Sequence, residues 1–86
     1  MIMYQPVAEP IDAYVIYKRG AAHPILRAFR WGTRRFDITS TNLVYPEKEG
    51  ETLFLCYAVS SGKNQFQLRL NTNRSLWTLE AIDVEG

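Results

Sequence analysis

Six of the ten cationic side chains, Lys18, Arg19, Arg27, Arg30, Arg34 and Arg35, fall in one stretch, and no Asp or Glu lies between positions 18 and 36. The acids gather instead at Glu47–Glu51 and Glu80–Glu85. Such segregation can present a basic face on a chain whose formal charge is only +1, and a basic stripe is the electrostatic footprint of polyanion binding. Lys18, Arg19, Arg30, Arg34 and Arg35 are therefore the candidate anion or nucleic-acid contacts. The near-zero net charge weighs against that reading, because the bulk of the chain adds no attraction for phosphate.

The other chemistry-bearing side chains stand alone. One His and one Cys supply neither a disulfide framework nor a usual zinc site. His23 lies in Gly20-Ala21-Ala22-His23-Pro24, where it reads as a solvated turn residue. Cys56 sits between Leu55 and Tyr57 with no neighbouring cation to lower its pKa, and reads as inert packing. Ser60-Ser61-Gly62 lacks the Gly-x-Ser-x-Gly spacing of a nucleophile elbow. Glu47, Glu49 and Glu51 alternate in a charged turn and read as solvated. No Gly-rich phosphate loop or metal-ligand spacing occurs. These residues predict a protein that is not an enzyme and has no cofactor and no small-molecule substrate.

The elements that must position these residues are short runs of Ile, Val, Leu, Tyr, Phe and Trp with period-two alternation, punctuated by Gly20, Gly32, Gly50 and Gly62. Turn signals at this spacing predict an all-β fold of about six antiparallel strands in a meander, closed as a small, partly open barrel of the SH3-like kind. The expected strands are Ile11–Lys18, Pro24–Trp31, Thr33–Tyr45, Thr52–Ser60, Gln65–Asn71 and Leu76–Val84. In 86 residues there is room for one such domain, placed at 11–86. Residues 1–10 contain Pro6 and Pro10, and proline cannot donate to a central ladder, so they read as an edge segment, arm or tail.

Hairpin loops set which residues face each other. Gly32-Thr33 reads as a two-residue type II′ loop, which opposes Trp31 to Arg34, Arg30 to Arg35 and Phe29 to Phe36. Phe29, Trp31, Phe36 and Ile38 then share a core-facing row, and Arg30 and Arg35 stand opposed on the other side. Directly opposed like charges are destabilising, which invites an anion or a carboxylate beside them. Turning at Gly62-Lys63 pairs Val59 with Phe66, Tyr57 with Leu68 and Leu55 with Leu70. Turning again at Asn73-Arg74 pairs Leu70 with Trp77, Leu68 with Leu79 and Phe66 with Ala81. The two turns agree on one buried face, and the opposite face carries Gln65, Gln67, Arg69, Thr78 and Glu80, with Arg69 diagonal to Glu80.

Phe54, Cys56 and Ala58 break that polar face, and Tyr14 and Ile16 make the first strand apolar on both sides. The chain offers no helix to cover them. Tyr14, Ile16, Phe54, Cys56 and Ala58 are therefore the candidate protein interface, for a homodimer or a partner protein. No apolar run approaches the roughly 18 residues of a membrane span, and Met1–Pro6 shows no secretory signal. A single Cys fits a reducing compartment, so a cytoplasmic location and no membrane partner are expected.

The run Phe29-Arg30-Trp31-Gly32-Thr33-Arg34-Arg35-Phe36-Asp37-Ile38 resembles the strand-turn-strand of a family of small bacterial domains of unknown function. In those, a stretch of the form Arg-Phe-x-Trp-x-Gly-x-x-Tyr is followed by strands ending in a Trp-x-Leu-like segment, here Trp77-Thr78-Leu79. The resemblance extends over Ile11–Val84, with its specific part in those ten residues, and the chain departs from the pattern in placing Gly32 immediately after Trp31. Members occur alone or appended to relatives of Y-family translesion DNA polymerases. The resemblance implies a prokaryotic accessory module connected with nucleic-acid metabolism and supplies no catalytic residue. Two functions follow as expectations: a non-catalytic protein-interaction or assembly module, and, as the alternative, a nucleic-acid-binding accessory module using the basic hairpin around residues 18–35.

Overall fold

The computed structural model describes residues 2–85, and the side chains of residues 4–83. Met1 of the expected N-terminal segment and Gly86 of the expected domain lie outside them. The alternating apolar runs form β1 (Ile2–Ile16), β2 (Ile25–Trp31), β3 (Arg34–Asp37), β4 (Ser40–Glu49), β5 (Thr52–Ser61), β6 (Asn64–Asn71) and β7 (Leu76–Glu85). All are antiparallel, in the order β3-β2-β1-β7-β6-β5-β4, curled into a half-barrel.

The seventh strand arises because the expected Thr33–Tyr45 strand bends at Ile38-Thr39. The Ile38 N–H donates to the Arg27 carbonyl at 2.9 Å and the Thr39 N–H to the Ser60 carbonyl at 2.8 Å, so the chain leaves β2 and joins β5 within two residues. At its far end, β4 passes through Pro46 to Glu49, where the sequence suggested a turn. Pro46 lies opposite Leu55, between the Tyr45–Cys56 and Glu47–Phe54 pairs. With a two-residue Gly50-Glu51 turn, those flanking pairs are the hydrogen-bonded ones. The N–H that Pro46 lacks would point to the free edge, so it does not interrupt the ladder.

β1 changes sheets midway. Residues Ile2–Ile11 pair with β7 and Asp12–Ile16 pair with β2. This divides the molecule into a large sheet (β4, β5, β6, β7 and the first half of β1) and a small one (the second half of β1, β2 and β3). Residues 2–10 have a strand partner on one side only, which accommodates Pro6 and Pro10. A bulge between Pro6 and Glu9 puts Ala8 at φ +55°. Val7 and Ile11 still pack against the core, so this segment belongs to the fold it edges.

The three hairpins have the registers their turns dictate. Gly32 takes φ +62° while Thr33 stays at negative φ, as a type II′ turn needs, and Phe29, Arg30 and Trp31 oppose Phe36, Arg35 and Arg34. Val59–Phe66, Tyr57–Leu68 and Leu55–Leu70 pair across β5 and β6. Leu68–Leu79 and Leu70–Trp77 pair across β6 and β7, where a bulge at Glu80 makes Phe66 oppose Ile82 instead of Ala81.

Phe29, Phe36, Tyr57, Val59, Phe66, Leu68, Leu70, Trp77 and Leu79 form the buried core, joined by Leu26. Trp31 and Leu55, expected inside, are only partly buried. Phe29, Phe36 and Phe66 touch mutually, with centroids 4.8–5.2 Å apart. They join the small sheet to the large one.

Candidate interaction surface

The basic stretch does not assemble into one patch. Lys18 and Arg19 are exposed on the loop joining β1 and β2. Arg30, Arg34 and Arg35 lie at the Gly32 turn, at the other end of β2. Five residues of strand from Ile25 to Arg30 separate the two groups by about 17 Å. Arg30 and Arg35 do oppose each other, and each has an acid within the same row. Asp12 stands across from Arg30 on β1, and Asp37 accepts from Arg35 Nε at 3.1 Å. Arg35 also lies over the Tyr14 ring at 4.8 Å, and Arg34 over Phe36 at 4.9 Å. Trp31 donates through Nε1 to Glu9 at 3.3 Å, bridging the gap where β1 and β2 diverge, and packs in part against the core.

The outer face of the large sheet assembles what the sequence left apart. Phe54, Cys56 and Ala58 alternate on β5, each half-buried. Register sets Leu43 against Ala58, Tyr45 against Cys56 and Glu47 against Phe54, and the same period brings Glu49 to that face. The result is a groove of about 290 Å³ whose walls include Leu43, Tyr45, Cys56 and Ala58 on one side and Gln67, Arg69 and Glu80 on the other. Leu43 is 55% and Tyr45 44% exposed.

Arg69 is the centre of this face. Its Nη2 donates to Glu47 at 2.9 Å and to Glu49, its Nη1 lies 3.8 Å from Glu80, and its guanidinium lies 3.6 Å from the Phe54 centroid. The carboxylates, chiefly through the hydrogen bond that Glu49 accepts, hold its pKa above the ordinary arginine value. The Glu80 pairing follows from the strand diagonal; the Glu47 and Glu49 pairings were hidden by reading Pro46 as the end of a strand. The signal was present: residues 43, 45, 47 and 49 continue one period-two row.

The expectation of no cation beside Cys56 is corrected by the register, which sets Arg69 directly across from it. Arg69 pulls the thiol down, but burial, with Glu47 adding to it, outweighs that and pushes it up. Tyr45 is raised by Cys56 beside it and by burial. Both groups therefore stay protonated in neutral solution. His23, expected in solvent, is half-buried. Its Nδ1 donates to the Pro24 carbonyl at 3.1 Å, and its ring meets Tyr57 edge-on at 5.7 Å. Because neighbouring strand residues point to opposite faces, His23 against Tyr57 and Cys56 on the outer face are on opposite sides of β5.

Tyr14 and Ile16 are on the outer side of the small sheet, 41% and 46% exposed, away from the β5 row, so the five expected interface residues form two separate areas. A second opening, of about 580 Å³, follows the split where β1 leaves β7, between Ile11, Ala13, Val15 and Tyr17 and the Leu76-Trp77 start of β7. Among the described residues, no group of three or more His, Cys, Asp or Glu is placed to hold a metal, and no helix is long and apolar enough to cross a membrane. Comparison with protein-family models, curated proteins and solved structures finds no match for this chain.

Proposed function

We propose that this chain is a non-catalytic protein-interaction module that docks through the outer face of its large sheet. One observation carries the reading: Leu43 and Tyr45 stand exposed directly beside the half-buried Cys56 and Ala58, on a face over which the described chain lays no further element. Contiguous apolar surface of this kind marks sites of association. The nucleic-acid alternative draws on Arg30, Arg34 and Arg35, but the carboxylates of Asp12 and Asp37 share the face of Arg30 and Arg35, Arg34 lies on the opposite face over Phe36, and Lys18 and Arg19 are remote from them.

The test is a pair of nuclear magnetic resonance spectra in concentrated cell extract, wild type against Leu43→Asp/Tyr45→Asp, after both are shown to be folded in buffer. Docking predicts that wild-type amide signals broaden in extract and that the variant's stay sharp. Equal broadening, or none in either, overturns it. A parallel salt series with single- and double-stranded DNA separates the alternative, since phosphate binding must weaken steeply with salt and with Arg30→Ala/Arg35→Ala.

A further inference from the structure

We infer that the outer-face groove takes a basic, extended segment of a partner protein, with an Arg or Lys side chain set on the solvent side of Glu47 and Glu80, above Arg69, and a neighbouring apolar side chain resting on Leu43, Tyr45 and Ala58. The inference rests on the docking reading above and adds the chemistry of the occupant.

Charge complementarity selects a cation. Glu47, Glu49 and Glu80 surround one guanidinium, so the face carries an excess of two negative charges in a chain whose formal total is +1. Attraction for a cation is therefore local to this groove and is not a property of the whole surface. Arg69 has little to offer an anion. Its Nη2 donates to Glu47 and Glu49, its Nη1 faces the Glu80 carboxylate at 3.8 Å, its plane covers Phe54, and its Nε is buried without an acceptor. The carboxylates keep open capacity, because each ionised group accepts about four hydrogen bonds and Glu47, Glu49 and Glu80 are 49%, 57% and 36% exposed. A partner cation would meet free acceptors on an apolar floor, where the aliphatic stem of Lys or Arg also packs.

The groove is approached over the face and not along the edge. β4 has a free edge, but three features guard it: a register shift between Thr41 and Leu43, the missing donor of Pro46, and Lys48. The outward arginines of a second copy's Gly32 turn are poor occupants, because Asp37 is paired to Arg35 and Asp12 stands across from Arg30.

Fluorescence anisotropy with labelled nonapeptides tests this, one alternating arginine with leucine and one alternating glutamate with leucine. The arginine peptide should bind, the glutamate peptide should not, and binding should weaken at least tenfold in Glu47→Gln/Glu80→Gln. Both substitutions are near-isosteric, at the exposed Glu47 and the part-exposed Glu80, and leave Glu49 on Arg69, so the fold survives. Asp12→Asn/Asp37→Asn, which removes the same charge elsewhere, should bind like wild type. Unchanged binding in Glu47→Gln/Glu80→Gln, or equal loss in both double variants, overturns the inference. Extract broadening that is abolished by Leu43→Asp/Tyr45→Asp but indifferent to Glu47→Gln/Glu80→Gln would overturn the cationic occupant while docking stands. Salt-sensitive dimerisation in light scattering, abolished by Arg30→Ala/Arg35→Ala, would give the groove to a second copy and also overturn it.

Discussion

The arginines of the Gly32 hairpin and Arg69 make opposite use of the same side chain. Arg30, Arg34 and Arg35 are close in sequence with no acid among them, yet in the structure Arg30 and Arg35 face outward while Arg34 lies on the opposite face over Phe36, with one ion pair among them, Arg35 to Asp37. Arg69 has no charged neighbour within four positions along the chain on either side, yet it gathers carboxylates from β4 and β7 and lies 20% exposed. Strand register, and not sequence proximity, decides which charges meet, because neighbours in a sheet come from different strands. A run of like charge on a strand pair is spread over the surface. A single charge on a central strand is reached from both sides.

That difference depends on a rigid β6, and the most damaging way to break it is from beneath. Leu68 is 1% exposed, between Tyr57 and Leu79 in the ladder, and is adjacent to Arg69 with its side chain on the other face. Leu68→Ala should cost about 2–5 kcal/mol in urea denaturation. A loss under about 1 kcal/mol would mean that the buried row is not the support of the outer face.

A smaller effect comes from the contact that ties the two sheets. The Tyr57 hydroxyl donates to the Pro24 carbonyl at 2.6 Å, joining the large sheet to the start of β2. Tyr57→Phe should cost about 1–2 kcal/mol near neutral pH, because a half-buried carbonyl loses its donor. Burial pushes the Tyr57 phenol from 10.0 up to about 12, with Tyr17 adding to the shift. The folded state holds this proton more tightly than the unfolded chain. Its stability contribution is thus complete below pH 10 and is lost as the pH rises towards 12, with a slope up to about 1.4 kcal/mol per pH unit. The stability gap between wild type and Tyr57→Phe should narrow across that range. A gap that widens there would reverse the sign and rule out a buried, donating hydroxyl.

Much of the fold was legible in the sequence because turns are local. Gly32-Thr33, Gly62-Lys63 and Asn73-Arg74 each determine a register without reference to the rest of the chain, and their rows name most of the core. Bulges are not local in this sense. The extra residues at Glu80 and between Tyr14 and Val15's partners are set by how the sheet must twist to curl, so Ala81 for Ile82 was the natural error. The sheet change in β1 and the bend at Ile38-Thr39 have the same cause. Of the candidate surface, Phe54, Cys56 and Ala58 could be read from alternation, and Arg69–Glu80 from the diagonal. Glu47 and Glu49 continue the period-two row of Leu43 and Tyr45, but Pro46 masks that row unless its missing N–H is assigned to the free edge.

A pair of arginine variants, the second with the smallest predicted effect, sharpens the comparison directly. Arg69→Ala leaves Glu47, Glu49 and Glu80 together without their cation and uncovers Phe54. Losing a partly shielded ion-pair network and a stacked guanidinium should cost about 1–2 kcal/mol. Arg30→Ala removes a charge that opposes Arg35 directly and has only Asp12 across from it, so the change should stay within about 0.5 kcal/mol of zero. Salt separates them further. Raising salt to about 1 M screens the mutual repulsion of the carboxylates left by Arg69→Ala. That variant should recover part of its loss relative to wild type, and Arg30→Ala should scarcely move. Denaturation of the two variants at low and high salt reads this out. Equal losses would show that β6 gains nothing from gathering carboxylates, and that the two arginine environments differ in geometry but not in energy.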